Sequence, residues 1–270
     1  MTIFYDKNLS AILAAIMPRA IMPRAIMPQT KRPRPVQIYY SPSFARRLLL
    51  GSLLAALSLL SPALAGQPEK PGIGADQDAE TVIIGFGDSL MAGYGLAPGQ
   101  GFTGQLERRL DQEIDQPDSV INAGVSGDTS TGGRSRLDWA LAALRGKTPD
   151  LVILELGAND ALRGIAPEIT RDNLDALITD IKSRGIRVLL AGMLAPPNMG
   201  ADYQDRFNSL FPALAKQHDV DFYPFFLDGV AADRALNLDD GIHPTAEGIA
   251  IMVDRILPFI KRALDRPLPS

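Results

Sequence analysis

Apolar residues between positions 81 and 265 fall into two alternating rhythms. Short runs at 81–85, 151–156, 186–193 and 220–226 are largely apolar, the pattern of strands buried on both faces, and 119–122, with Val120 and Ile121 at its centre, reads as a further short strand. The first contains Thr81, Val82, Ile83 and Ile84, β-branched residues that favour extended backbone. Longer stretches between the runs repeat at helical spacing. Phe102, Leu106 and Leu110 share one face of a helix over 101–113, and Leu137, Ala140, Leu141 and Leu144 share one over 136–144. Residues 167–183 read as an amphipathic helix with Pro167 in its first turn, and 203–217 as another. A last helix is expected to open at Asp240-Gly241-Ile242-His243-Pro244 and run to Ala263. Strand and helix alternate throughout, which predicts an α/β fold: a parallel five-stranded sheet with helices on both faces. The roughly 190 residues of this unit, 79–265, bury a sizeable core without a second domain.

Upstream the texture changes. Residues 1–44 are rich in proline and carry a short tandem repeat that begins Ala15-Ile16-Met17-Pro18-Arg19, too short for a solenoid. They are expected to be an unstructured leader, or coding sequence ahead of a later start such as Met27. Residues 45–65 present Ala45-Arg46-Arg47, an apolar section over 48–60 and Ser61-Pro62-Ala63-Leu64-Ala65, the three parts of a secretory signal with cleavage after Ala65. The apolar section is shorter than the roughly 20 residues that span a bilayer, so no stable membrane insertion is expected after cleavage. The paired arginines raise a twin-arginine route, but the rest of that motif is missing and the general secretory route is favoured. Residues 66–78 read as a flexible lead-in to a periplasmic or secreted protein.

Composition removes several classes of function. A formal net charge of -4 leaves no basic surplus to neutralise phosphates, so nucleic acid is not an expected partner. Cysteine is absent, which excludes disulfides, thiolate metal sites and cysteine nucleophiles. A base near neutral pH must come from one of two histidines, His218 and His243. His218 lies in the polar stretch Lys216-Gln217-His218-Asp219 near a helix end and reads as a solvated surface residue.

In a parallel sheet the loops that follow the strands gather at one edge. Those loops carry Ser89, residues 122–130, Asn159-Asp160, and Asp240 with His243. A serine hydroxyl is a poor nucleophile without an adjacent base, and the base needs an orienting carboxylate. Asp240 and His243, three residues apart in a turn, can supply both, with Pro244 stiffening the exit. Asp239 lacks that spacing and reads as solvated or capping. The loop 124–129 offers a backbone N–H, and Asn159 a neutral amide, to a developing oxyanion. Plainer readings exist: Ser89 as a helix cap and the loop residues as turn formers. Gly85-Phe86-Gly87 after a strand also suggests a dinucleotide-binding turn, but Leu90 replaces the third glycine and no acidic residue ends 119–122 to hold a ribose. A silent binding module that kept the fold is a further alternative.

Four blocks, Gly87-Asp88-Ser89-Leu90 followed by Ala92-Gly93-Tyr94-Gly95, Asn122 through Ser130, Leu156-Gly157-Ala158-Asn159-Asp160 followed by Leu162-Arg163-Gly164, and Asp240-Gly241-Ile242-His243-Pro244, resemble the SGNH, or GDSL, hydrolase superfamily. Within it the chain is similar to the bacterial thioesterase I, lysophospholipase L1 and arylesterase group. The resemblance spans nearly all of the mature region. It implies a three-layer flavodoxin-like fold, Ser89 as nucleophile, His243 as general base and acid, and Asp240 orienting the imidazole. It further implies an oxyanion hole from the Ser89 and Gly127 backbone N–H groups and the Asn159 side chain. No metal or organic cofactor is implied, and the expected partner is a small-molecule acyl ester or thioester. A carbohydrate O-acetylesterase of the same fold is the rival substrate class, and a monomer is expected. Gly124 stands where the resemblance implies a bulkier residue, so a looser loop is expected there. For the acyl pocket the candidates are residues 90–96, Leu162, Ile165 and 193–199, with Leu90, Leu162 and Met193 as the leading substrate contacts and Pro196-Pro197 shaping a loop over the site.

Overall fold

The computed structural model describes residues 81–113, 118–144 and 146–269, so the leader, signal and lead-in expected over 1–78 lie outside the described residues. In chain order the elements are β1 (Thr81–Gly87), α1 (Ser89–Ala92), α2 (Phe102–Asp111), β2 (Asp118–Gly124), α3 (Ser130–Ala142), β3 (Leu151–Glu155) and α4 (Ala158–Leu162). They are followed by α5 (Pro167–Ser183), β4 (Arg187–Ala191), a 3-10 turn (Pro197–Met199), α6 (Ala201–His218), β5 (Asp221–Tyr223) and α7 (Ala246–Asp265).

The five strands form one sheet in the order β2-β1-β3-β4-β5, with every neighbouring pair parallel. β1 lies between two partners, and from Val82 to Gly87 it is buried, which is why its sequence reads as apolar without alternation. Successive residues of β1 point to opposite layers. Gly85 faces Met91 of α1 and Thr103 of α2, whereas Phe86 lies beneath α3, with the Arg136 guanidinium 4.1 Å from its ring centre. α2 packs with α7 in one layer, and α5 packs between α3 and α6 in the other. The resulting three-layer α/β fold is the expected one. Ile83, Leu151, Ile153, Leu189, Phe211 and Ile256 are among the side chains with essentially no exposure. Burying each such side chain contributes about 1.5–3 kcal/mol. Among the described residues no helix is long and apolar enough to cross a membrane.

The differences from the expected elements have local causes. α3 begins at Ser130 rather than near Arg136, because Thr129 caps it by accepting the Gly132 N–H at 3.2 Å, and the helix tolerates Gly132 and Gly133. α7 begins at Ala246, not within the Asp240 turn. Residues 240–245 stay outside the helix, held by an antiparallel bridge between Asn237 and Pro244, and Thr245 supplies the cap by accepting from the Gly248 N–H. β5 is only Asp221–Tyr223, since the chain leaves the sheet at Pro224. Gly124 does not loosen its loop. It is the last residue of β2, paired with Gly87, and a Cβ there would lie 2.3 Å from the Ala92 nitrogen, so the absence of a side chain lets β2 press against α1.

Candidate active site

β1 delivers Asp88 and Ser89 to the carboxyl edge of the sheet. Asp88, not Ser89, is the cap of α1: its Oδ1 accepts the Leu90 N–H at 3.0 Å. Ser89 is the first helical residue, and its hydroxyl turns to the loop before α7. There Ser89 Oγ lies 2.9 Å from His243 Nε2, and His243 Nδ1 lies 2.7 Å from Asp240 Oδ2. A carboxylate can only accept, so Nδ1 carries the proton and Nε2 presents its lone pair to the serine O–H. Asp240 Oδ1 meanwhile accepts the N–H groups of Ile242 at 3.0 Å and His243 at 3.1 Å, so the group that orients the ring also builds the turn. Partial burial pushes the Asp240 carboxyl up, but the hydrogen bonds from the His243 ring and the two N–H groups outweigh it and hold the group below its ordinary value.

A second chain of contacts runs beneath the serine. Asn159, in α4, donates from Nδ2 to Asp88 Oδ2 at 3.0 Å, so both oxygens of the buried Asp88 are engaged. Burial pushes the Asp88 carboxyl up to about 6, against the lowering effect of the Leu90 and Asn159 donors. Below it Glu155, the last residue of β3, accepts the Asp88 N–H through Oε2 at 3.2 Å. Complete burial, then repulsion from Asp88, raises the Glu155 carboxyl well above the ordinary carboxylate range.

The loop after β2 is fixed from three sides. Arg163 donates to the Gly127 carbonyl at 2.7 Å. Arg136 donates to Asp128 Oδ2 at 2.6 Å and to the carbonyls of Ala123 and Gly87, each at 2.8 Å. Buried Asp160 accepts the Ser130 N–H at 2.8 Å, the Ser130 hydroxyl at 2.5 Å and the Thr170 hydroxyl at 3.0 Å. Asp128 and Asp160, two acidic residues of the matching blocks, thus hold the loop in place.

Ser89, Gly127, Asn159, Asp240 and His243 all line one cleft of about 750 Å³. Leu90, Leu162 and Met193 line it as well, as expected, although Leu90 and Met193 are almost wholly buried and show the cleft only a small face. Ile165 does not line it; its carbonyl accepts from the Tyr203 hydroxyl at 2.7 Å. The segment after β5, with Phe225, Leu227 and Leu238, forms a wall that sequence reasoning missed, because it has no period to mark it. His218 is elsewhere and is not the solvated residue expected: its Nε2 lies 2.8 Å from Asp175 Oδ1 between α6 and α5.

A parallel α/β sheet carrying serine, histidine and aspartate in one hydrogen-bonded line at its carboxyl edge has the arrangement of a serine hydrolase. The chain belongs to the GDSL-like lipase/acylhydrolase family, whose sequence model matches residues 86–251. It is 38% identical over 187 residues to the esterase TesA of Pseudomonas aeruginosa, spanning 69% of this chain and 90% of that protein. It is 40% identical over 173 residues to an arylesterase of Vibrio mimicus, spanning 64% and 84% respectively. Among solved structures, that of AlinE4, an SGNH-hydrolase family esterase, matches with a TM-score of 0.58 at 41% identity over 70% of this chain and 98% of that one. The protein is accordingly an enzyme of the carboxylic ester hydrolase class.

Proposed function

We propose that the enzyme hydrolyses small-molecule carboxylic esters or thioesters by two-step acyl transfer, with Ser89 as nucleophile. The unbroken line from Asp240 through His243 to Ser89, at the mouth of an apolar-walled cleft, carries this reading. As Ser89 Oγ attacks the carbonyl, His243 Nε2 takes its proton, and Asp240 stabilises the imidazolium and keeps Nε2 aimed at the serine. The N–H groups of Ser89 and Gly127 and the Asn159 amide hold the tetrahedral oxyanion. Asp88 orients the Asn159 amide through Oδ2, and Arg163 steadies the Gly127 peptide through its carbonyl. His243 then returns the proton to the leaving alcohol or thiol. Water, activated in the same way, releases the acid and restores Ser89. Export directed by residues 45–65 would place this chemistry in the periplasm or outside the cell.

Leu90, Leu162 and Met193 are the proposed acyl contacts. The size of the cleft favours acyl chains longer than acetyl over a carbohydrate O-acetylesterase. The test is hydrolysis of p-nitrophenyl esters of increasing chain length and of acyl thioesters by the wild type and by Ser89→Ala. The variant should lose roughly 10⁴-fold or more in kcat on every substrate, and the wild type should prefer chains longer than acetate. Hydrolysis that survives Ser89→Ala would sink the serine mechanism. A preference for acetate would move the enzyme to the acetylesterase reading.

A further inference from the structure

The segment that leaves α1 carries an aromatic ring for which the proposed acyl transfer has no role. Tyr94 is about half exposed, at 52%, yet its ring centre lies 4.4 Å from that of His243, with the planes tilted by 35°. Two glycines set it there. Gly93, at φ 75, ends α1 in a left-handed turn, and Gly95, at φ 76, repeats that conformation on the other side of Tyr94. A Cβ on Gly95 would come within 2.6 Å of Leu238 Cδ1, so this turn lies directly against the loop of the histidine. That loop is closed on itself: the Leu238 N–H donates to the His243 carbonyl at 2.7 Å, and the Gly241 N–H to the Leu238 carbonyl at 2.8 Å. The turn is also tied back to the nucleophile, since the Tyr94 N–H donates to the Ser89 carbonyl at 3.1 Å.

We propose that Tyr94 is a positioning residue for His243, its ring held over the imidazole by the Gly93 and Gly95 turns so that the serine loop and the histidine loop move as one. This rests on the serine reading of the site. The ring does two things. It occupies the face from which water would otherwise solvate the imidazole, which keeps Nε2 on the line to Ser89. It also presents electron-rich π density to the ring on which positive charge develops as the Ser89 proton transfers, and such density stabilises a cation within about 6 Å of the ring centre. Charged groups that act on His243 include Asp240, bonded to Nδ1, and Asp88, which acts on it through space, while Asp233, Arg234 and Asp239 line the same cleft. Tyr94 adds a neutral contribution of the same sign as the Asp240 and Asp88 carboxylates from the open side.

The experiment compares wild type, Tyr94→Leu and Tyr94→Phe on one p-nitrophenyl ester across pH 5–9, with Ser89→Ala as the control for the serine reading and thermal melts to establish folding. Tyr94→Leu should lower kcat about 5- to 30-fold with KM within about threefold, and should move the acid limb of kcat/KM to lower pH by about half a unit, because the protonated ring has lost a stabilising neighbour. Tyr94→Phe, which keeps the ring, should restore kcat to within about twofold of wild type and return the acid limb. If Tyr94→Leu raises KM alone and leaves kcat and the acid limb in place, Tyr94 is a wall of the substrate cleft and the proposal fails. If Tyr94→Phe is as damaged as Tyr94→Leu, the hydroxyl and not the ring matters, and the proposal fails in that way. Undiminished hydrolysis by Ser89→Ala would instead overturn the serine reading, a result that Tyr94 variants cannot produce.

Discussion

The protein contains two histidines, and each has an aspartate at nearly the same distance. His243 Nδ1 is 2.7 Å from Asp240, and His218 Nε2 is 2.8 Å from Asp175. Their side chains are equally covered, at 14% and 13% exposure. By distance and burial the pairs are interchangeable, and what separates them is the remaining ring nitrogen and the chain that supports each pair. Asp240 engages the nitrogen nearer the backbone, so Nε2 projects outward to Ser89. Asp175 engages the outer nitrogen, so the reach of the ring is spent on a helix-to-helix tie. The first pair is closed within four residues by a turn whose N–H groups also bind Asp240; the second joins α5 to α6 across 43 positions. A histidine–aspartate pair therefore does not by itself distinguish the two histidines; what does is that His243 also holds a serine hydroxyl on its other ring nitrogen.

The largest test of this contrast removes one carboxylate at a time. Asp240→Asn puts an amide opposite Nδ1, which favours the tautomer with the proton on Nε2, unable to accept from Ser89. The expected loss in kcat is about 10³–10⁴-fold with the fold intact. Asp175→Asn should leave kcat within twofold, measured on the same p-nitrophenyl ester. A drop of less than tenfold for Asp240→Asn would mean that the orientation of the ring does not depend on its carboxylate, and the distinction between the pairs would collapse.

The local pair was the legible one. Asp240 and His243 lie in one turn, so spacing alone brings their side chains together, and Ser89 follows from an apolar run that breaks at the sheet edge. α5 matches its expected span, Pro167–Ser183, because a proline at its first position and a regular apolar stripe both declare it. What sequence did not reveal depends on residues far apart. Asp88 reaches Asn159 across 71 positions, and Glu155 reaches the Asp88 N–H across 67. No periodicity encodes such meetings. His218 was misread for the same reason: its polar neighbours suggest solvent, whereas Asp175 on another helix covers it.

The buried acids beneath the serine, Asp88 and Glu155, sharpen the comparison further. Asp88 titrates near 6 in the folded state against 3.8 ordinarily, because burial disfavours its charge. A folded state that holds a proton more tightly than the unfolded chain loses stability as pH rises through that window. About two pKa units correspond to about 3 kcal/mol. Asp88→Asn cannot ionise, so urea unfolding should show the wild type losing about 3 kcal/mol relative to the variant between pH 3 and pH 7. The same variant turns an N–H₂ group toward either Leu90 or Asn159, and kcat should fall by up to about 10²-fold as the Asn159 amide loses its acceptor. A pH-independent stability difference would show that Asp88 carries no such strain, leaving the site no more costly to fold than the helix tie.

The smallest effect belongs to His218. Asn in its place removes the bond to Asp175, but Asp175 Oδ1 keeps the Gln217 Nε2 donor at 2.6 Å and is 41% exposed, so no charge is left buried without a partner. Partly exposed pairs of this kind contribute about 0–1 kcal/mol. His218→Asn should therefore shift the urea midpoint by an amount equivalent to at most about 1 kcal/mol, less in high salt, with esterase activity unchanged. A loss above about 3 kcal/mol would place the pair among buried ion pairs whose remaining partner is stranded. The two histidines would then differ in what they do but not in how strongly the fold depends on them. The small expected loss follows from geometry: a tie between two helices that already share an apolar seam has little left to hold, whereas the turn around His243 depends on Asp240 for its shape as well as its chemistry.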